Sequence, residues 1–398
     1  MKYLLTAFCA LCLFSCSDYD HPTPYPEFSR TVIIYISAEN SLSSFAPSDL
    51  NEMAEASKNI ADKDHLVVFF DHSSSSQKPY IAELKNGEVV KDKVFDADFY
   101  ATDPDKMREI LTYIMQRWPA TDYGIDLWGH ASGWIISNDS VSTTKSVSRA
   151  YGFDNGNNYA SDRGKWINIP SMAKVFSQLP HGFLFIIGDC CFFQCVETAY
   201  EFKNCTHYII GSPSEVPGDG AAYREIVPLM FNRSEDFYKD IIDKWGEYAT
   251  NGAYGLPLSC INTVAVELFA DATAKLMPDL LNYDNFAGKR LIYYGCPYDD
   301  KSRREKIFYD PMNLMLEYAN DQTALAEWKN AMSYFVPYSM MASKWLQNTG
   351  VDFSSFDVNE QTFSGVSMFV PQPMYESLTP NPNETIKQMK WAKAVGLY

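Results

Sequence analysis

The chain has 398 residues, of which 46% are hydrophobic and 15% aromatic, and this composition excludes an extended disordered protein. Its net charge of −17 disfavours nucleic acid as a partner, because the phosphate backbone attracts basic surfaces. The length allows either several average domains or one large domain with additions.

The first residues are typical of a secretion signal. Residues 1–15 contain one lysine followed by an apolar run that is too short to span a membrane as a helix. The sequence LFSC, which ends at Cys16, resembles the bacterial lipobox and makes Cys16 the predicted lipidation site; cleavage without lipidation is the alternative. Residues 16–29 then form a polar, proline-rich tether. The sequence therefore predicts an extracytoplasmic lipoprotein, anchored to a bacterial membrane at the outer membrane or cell surface.

Strand and helix patterns alternate from residue 31 to about residue 213. The order is typical of βαβ units, in which a mainly parallel sheet is flanked by helices and ligands bind beyond the carboxyl ends of the strands. The predicted strands are 31–37, 65–71, 123–130, 183–189 and 207–213, with a hairpin at 80–95 and helices at 47–60, 103–119, 167–180 and 195–204.

The sequence pattern of the remainder of the chain predicts mainly helices. We expect an α/β catalytic core at 30–220 and C-terminal extensions at 221–398 that pack on it. The predicted elements of this part are helices at 235–249, 264–281, 311–321, 324–336 and 384–394, and a strand-like segment at 365–371.

Two strand ends carry reactive side chains. His130 follows one buried strand, and Cys190, Cys191 and Cys195 follow another. A neighbouring imidazole can make a thiol strongly nucleophilic, and the positive end of the next helix also favours the thiolate. The spacing does not suit zinc and a chain this large needs no disulfides, but buried cysteines are often inert core residues. The residues alone leave catalysis and core packing both open.

The sequences around these positions resemble the signatures of the clostripain family, cysteine peptidases of the caspase-like clan. IDLWGHASGW (125–134) is similar to the family's histidine turn, and GDCCFFQCVETAYEFK (188–203) is similar to its Asp-Ala-Cys strand end and following helix. The resemblance implies a caspase-like three-layer sandwich and an acyl-enzyme mechanism. It implies that Cys191 is the nucleophile and His130 the general base, with an oxyanion hole formed by the backbone N–H groups of Cys191 and Ala131.

The resemblance also implies a substrate class. In the family, an aspartate two residues before the nucleophile helps to bind a basic side chain before the cleaved bond, and here that residue is Asp189. Asp219 is a second candidate for substrate binding. The expected partner is thus a peptide or protein with Arg or Lys at that position. From the residues themselves, a turn or helix-cap role for Asp189 is the alternative.

Relatives are activated by cleavage between the two signatures. The corresponding segment here contains Lys145 and Arg149 in a Ser- and Thr-rich stretch that should be open to proteolysis, so both are self-cleavage candidates; an ordinary surface loop is the alternative. No cofactor or metal is expected from the residues, because the six histidines do not cluster and no Asp-x-Asp-x-Asp-Gly loop occurs. Calcium is suggested only by the resemblance.

The prediction is therefore a lipid-anchored cysteine endopeptidase, with two alternatives. Ala131 stands where the family has glycine, which is compatible with a degenerate peptidase fold that acts as a surface binding protein. The high aromatic content would also suit a lipid-anchored scaffold that captures glycans or proteins, although that function leaves the two strand ends unexplained.

Overall fold

The structure is a computed structural model, and it describes residues 28–73, 77–136, 150–156, 164–252, 255–282, 286, 291–295, 306–347, 352–355 and 358–398. The predicted leader, the lipidation site Cys16 and most of the tether lie outside the described residues, and so do Lys145 and Arg149. Among the described residues, none of the helices combines the length and the apolar character that crossing a membrane requires.

The described part of the chain alternates strands and helices as the sequence predicts. Its strands are β1 (Arg30–Ala38), β2 (His65–His72), β3 (Tyr80–Lys85), β4 (Glu88–Val94), β5 (Asp122–Trp128), β6 (Tyr151–Asp154), β7 (Lys165–Ile167), β8 (Phe183–Asp189), β9 (Thr206–Gly211), β10 (Leu258–Asn262), β11 (Tyr338–Met340), β12 (Lys344–Gln347) and β13 (Asp352–Ser355). Its α-helices are α1 (Ala46–Ala56), α2 (Pro104–Arg117), α3 (Ile169–Ser177), α4 (Val196–Phe202), α5 (Tyr223–Leu229), α6 (Phe237–Asn251), α7 (Val266–Leu281), α8 (Pro311–Tyr318), α9 (Gln322–Phe335), α10 (Pro382–Thr385) and α11 (Lys390–Ala394).

A nine-stranded sheet in the order β11-β10-β9-β8-β5-β1-β2-β3-β4 forms the centre of the fold. Its five middle strands, from β9 to β2, are all parallel, and the outer strands pair antiparallel. The expected mainly parallel α/β sheet is therefore confirmed. Because the middle strands are parallel, their carboxyl ends meet at one edge, where both predicted catalytic segments begin.

Alternate residues of β1 show why this sheet is covered on both faces. Ile33 and Tyr35 are fully buried in the core that contains α2, α3 and α4, whereas Ile34 and Ile36 are fully buried in the core that contains α1, α5 and α6. Successive side chains of a strand point to opposite faces, so an uninterrupted apolar run is buried on both. Burial of each such side chain stabilises the fold by about 1.5–3 kcal/mol.

Local sequence signals correctly predict several boundaries of helices and strands. Asp103 accepts hydrogen bonds from the N–H groups of Asp105 and Lys106 and so caps α2. The hairpin between β3 and β4 turns at Asn86 and Gly87, with φ angles of 54° and 87°. Those two positive φ values are typical of a type I′ turn, which the Asn-Gly pair favours.

The prediction is wrong in places after residue 250. Residues 365–371 form no strand of a ladder and make only single bridges, from Ser367 to Cys195 and from Met368 to Tyr309. Two short helices and an intervening turn of 3-10 helix replace the single helix expected near the C-terminus. The strands β10 and β11, which extend the sheet beyond β9, are absent from the prediction.

Candidate active site

The sheet register brings the two predicted catalytic segments together. The last residues of β5 and β8, Trp128 and Asp189, lie directly opposite each other. The N–H of Gly129 donates to the carbonyl oxygen of Asp189 at 3.3 Å, so the adjacency continues one residue beyond the ladder. His130 and Cys191 therefore leave neighbouring strands at the same edge of the sheet.

The segment that carries His130 is held on two sides. The N–H of Gly152 donates to the His130 carbonyl at 2.7 Å, and the Ser41 hydroxyl lies 2.9 Å from the His130 Nε2 atom. Gly133 has a φ of +66°, and a Cβ added there would lie 2.9 Å from the Phe192 carbonyl oxygen. A side chain at this position would push the histidine turn away from the loop that follows Cys191.

Ala131, which replaces the family's glycine, fits the turn without backbone strain. Among the described residues, the non-glycine residues with positive φ are Phe28, Asn86 and Phe192, so Ala131 does not need the left-handed conformation that favours glycine. It pairs instead with Tyr151 in an isolated antiparallel bridge. The substitution therefore gives no structural reason to expect an inactive protein.

The cysteines at the end of β8 differ in exposure. Cys190 and Cys195 are buried, whereas Cys191 is partly exposed. The Cys195 Sγ atom contacts the Thr198 hydroxyl at 2.9 Å at the start of α4. All the cysteines in the described part of the chain are free thiols. Of the three clustered thiols, Cys191 is thus the one that a substrate can reach.

The surroundings of the Cys191 thiol favour its neutral form. Its Sγ atom accepts from the Val216 N–H at 3.4 Å and donates to the Val216 carbonyl at 3.9 Å. Burial and the negative charge of Glu215 raise the pKa of this thiol to about 12. Attack by sulfur therefore requires a base to remove the proton as the substrate reacts.

The residue after Cys191 adopts a strained conformation. Phe192 has a φ of 58°, which is uncommon for a side chain of this size, and its N–H donates to the Ser214 carbonyl at 2.9 Å. Its ring stacks on that of Phe308 with centroids 4.9 Å apart. Such strain persists where the surroundings fix the backbone, as at a site whose geometry must be maintained.

Three aspartates meet beneath the loop that carries Cys191. Asp189 accepts hydrogen bonds from the Ala221 N–H at 3.0 Å and the Tyr223 hydroxyl at 2.7 Å, and it is only 5% exposed. Asp49 accepts from the Trp128 indole N–H at 2.8 Å. Asp126 is fully buried on β5. None of these three carboxylates has an ion-pair partner among the described residues, so we call them the acidic cluster.

Burial and mutual repulsion act on the acidic cluster. Burial raises the pKa of Asp189 to about 6, although its hydrogen bonds from Tyr223 and Ala221 oppose the shift. Burial, together with the charge of Asp189, raises the pKa of Asp49 to about 7 and raises that of Asp126. A cation placed beside these groups would relieve the repulsion and favour their charged forms.

Asp219, the second predicted substrate-binding residue, lies at the rim of this cluster. It is exposed on the turn before Gly220. Gly220 has a φ of +65°, and a Cβ there would lie 2.8 Å from the Asp189 Oδ2 atom. The turn thus packs against Asp189, and the Asp219 charge also raises the pKa of Asp49.

Sequence reasoning missed Asp49 and Asp126. Asp126 interrupts the apolar run of β5, and a carboxylate inside a fully buried strand is unusual unless it serves a site. The sequence pattern could therefore have marked Asp126 as a candidate site residue. No such pattern marks Asp49, because an aspartate in the first turn of a helix is ordinary.

A sequence profile of the clostripain family matches residues 34–366. A secreted C11 cysteine protease from Bacteroides thetaiotaomicron, solved with an irreversible peptide inhibitor, is 27% identical with a TM-score of 0.76, covering 93% of this chain and 99% of that one. An inactive zymogen C11 protease from Parabacteroides distasonis is similar in fold at 23% identity and a TM-score of 0.74, with the same coverage. No curated protein sequence matches. These likenesses confirm the caspase-like α/β fold, and the chain belongs to the clostripain family of cysteine proteases.

Proposed function

We propose that this protein is an extracytoplasmic cysteine endopeptidase that cleaves peptides after arginine or lysine, with Cys191 as nucleophile and His130 as general base. The observation that carries the proposal is the register of β5 and β8, which sets Trp128 opposite Asp189. The next residues of both strands leave the sheet side by side. A thiol and an imidazole at such neighbouring positions are the groups that acyl transfer requires.

The chemistry follows from these two side chains. His130 takes the Cys191 proton as the sulfur attacks the carbonyl carbon of the scissile bond. The N–H groups of Cys191 and Ala131 are the proposed donors to the oxyanion. The hydrogen bonds of the bridge between Ala131 and Tyr151 use the His130 carbonyl and the Ser132 N–H, so they involve neither of these two donors. The leaving amine then takes the proton from His130, leaving a thioester. Water, deprotonated by His130, hydrolyses the thioester and restores the thiol.

The acidic cluster supports a preference for basic side chains. Its three carboxylates lie next to the nucleophile's strand end and have no basic partner in the described part of the chain. A guanidinium or ammonium group would supply the missing charge in a charge-assisted hydrogen bond. Asp219 at the rim, with a net chain charge of −17, would attract a cationic substrate toward the site.

A library of short peptides tests the function as a whole. Wild-type protein should cut after arginine and lysine, and the Cys191→Ala variant should leave the same peptides intact, with mass spectrometry locating each cut. Equal binding of peptides by both proteins with no cleavage by either would instead identify a surface binding protein.

We also propose that the chain is processed. The LFSC sequence supports acylation of Cys16, and a relative of this chain is described as secreted. Intact-mass analysis of protein taken from membranes should show a diacylated or triacylated Cys16. A mature chain that begins elsewhere and stays in the soluble fraction would refute the lipid anchor.

The same measurement detects the proposed self-cleavage after Lys145 or Arg149. Wild-type protein should appear as two chains, and the Cys191→Ala variant should appear as one.

A further inference from the structure

Three buried carboxylates from separate segments meet near the carboxyl ends of β1 and β2. Glu39 follows β1, Asp71 lies near the end of β2, and Asp154 is the last residue of β6. Their exposed fractions are 1%, 1% and 0%. One oxygen from each lies within 4.8 Å of the others. These residues are separate from the acidic cluster beside Cys191, and we call them the carboxylate triad.

The described residues provide no partner that explains the burial of Asp71. Neither of its carboxylate oxygens has a hydrogen-bond partner among the described residues. Nor does any basic side chain of that part lie within ion-pair distance of Asp71 or Asp154. A buried carboxylate without a partner either takes up a proton or requires a positive charge beside it. A cation at the point where the three side chains converge would let all three remain ionised without this cost.

We propose that the carboxylate triad binds a calcium ion. Its donors are all oxygen atoms, which hard cations prefer and zinc does not. Two ligands about 2.4 Å from a calcium ion lie at most about 4.8 Å apart. The three oxygen atoms lie within 4.8 Å of one another and so satisfy this limit for coordination of one ion. The Asn155 Oδ1 atom, on the residue that follows Asp154, is also buried without a hydrogen-bond partner among the described residues. Waters would complete the six to eight ligands that calcium takes.

The triad is linked to the histidine turn through two short paths. Glu39 is two residues before Ser41, whose hydroxyl lies 2.9 Å from His130 Nε2. Asp154 is two residues after Gly152, whose N–H donates to the His130 carbonyl. The Asn155 N–H also donates to the Glu39 carbonyl at 2.9 Å. A bound ion would hold these segments together and so steady the turn; only this last role depends on the function proposed above.

Thermal unfolding tests the site without using activity. Protein stripped with a chelator and dialysed should unfold several degrees higher in millimolar CaCl₂ than in chelator, because an ion that binds the folded chain stabilises it. Calorimetric titration with CaCl₂ should show one ion per chain. Asp71→Asn should abolish both effects. In chelator it should unfold at the wild-type temperature or above, because it removes a buried carboxyl group that has no hydrogen-bond partner among the described residues and nearly preserves its shape.

Asp64→Asn is the matched control. Asp64 precedes the same strand at its other end, and its carboxylate accepts from the Arg30 N–H and the Arg233 guanidinium, each at 2.7 Å. This variant should keep the full calcium-dependent shift. An unchanged wild-type unfolding temperature in CaCl₂, or a full shift in Asp71→Asn, would overturn the site. A larger shift with MgCl₂ than with CaCl₂ would overturn the choice of calcium.

Discussion

Replacement of either Cys191 or His130 by alanine should lower kcat by at least about a thousandfold, because the proposed nucleophile and its proposed base would act as one unit. The structure sharpens this expectation for His130. Burial and the charge of Glu215 raise the pKa of the Cys191 thiol to about 12, so the neutral thiol predominates at neutral pH and a base must take its proton as it reacts. The double variant should lose scarcely more activity than either single variant.

Cys190→Ala is the matched control for this pair. The two thiols are adjacent in sequence, but Cys190 is buried at 2% exposure whereas Cys191 is partly exposed. Cys190→Ala should retain kcat within a few-fold and lose some stability from the missing buried atoms. Steady-state kinetics on a lysine-containing peptide, with thermal unfolding as a check on folding, separates these outcomes. If Cys190→Ala were folded but inactive while Cys191→Ala remained active, Cys190 and not Cys191 would be the nucleophile.

The core of the fold was predictable because its signals are local. Nearly continuous apolar runs mark β1, β2 and β8, and alternation with helices predicts their parallel order. That order also predicts that the ends of two strands meet, which is how His130 and Cys191 could be paired without a structure. The choice among three cysteines came from the family resemblance, and their exposure now gives it a physical reason.

The segment at 365–371 shows why the rest was not predictable. Its apolar composition suits a strand, yet its backbone is used for single contacts: the Ser367 N–H donates to the Gln194 carbonyl, and the Met368 N–H donates to the Tyr309 carbonyl. Partners far apart in sequence decide this structure, and a local pattern does not contain them. The strand β10 was not predicted for the same reason.

The carboxylate triad shows the same limit of local sequence patterns, here for the prediction of a binding site. A search for one calcium loop of fixed spacing finds nothing, because Glu39, Asp71 and Asp154 come from three separate segments. Glu39 and Asp71 stand at the ends of neighbouring parallel strands, whereas Asp154 ends β6, which pairs antiparallel with β7 outside the main sheet. The order of the strands therefore predicts that Glu39 and Asp71 lie close together, but it does not predict that Asp154 joins them.

Asp189→Asn should abolish most of the preference for basic side chains while leaving the fold intact. The amide nearly matches the carboxylate in shape, and its oxygen can still accept from the Ala221 N–H and the Tyr223 hydroxyl. Removal of one partner of a desolvated charge pair costs about 2–5 kcal/mol, which is roughly thirty- to several-thousand-fold in kcat/KM. The measurement is the ratio of kcat/KM for a lysine peptide to that for its norleucine analogue. Norleucine removes the charge, so effects on the Cys–His chemistry cancel in the ratio.

The same ratio should depend on pH in a defined direction. The pKa values of Asp189 and Asp49 are raised to about 6 and about 7, so these groups are neutral in mildly acidic solution and become charged as the pH rises. Under the proposed preference a lysine side chain binds the charged forms, so the ratio should increase between about pH 5 and pH 8. The increase should be smaller in Asp189→Asn. Asp219→Asn, at the exposed rim, should change the ratio only slightly. An unaltered ratio in a folded Asp189→Asn protein would mean that Asp189 only secures the turn at Ala221.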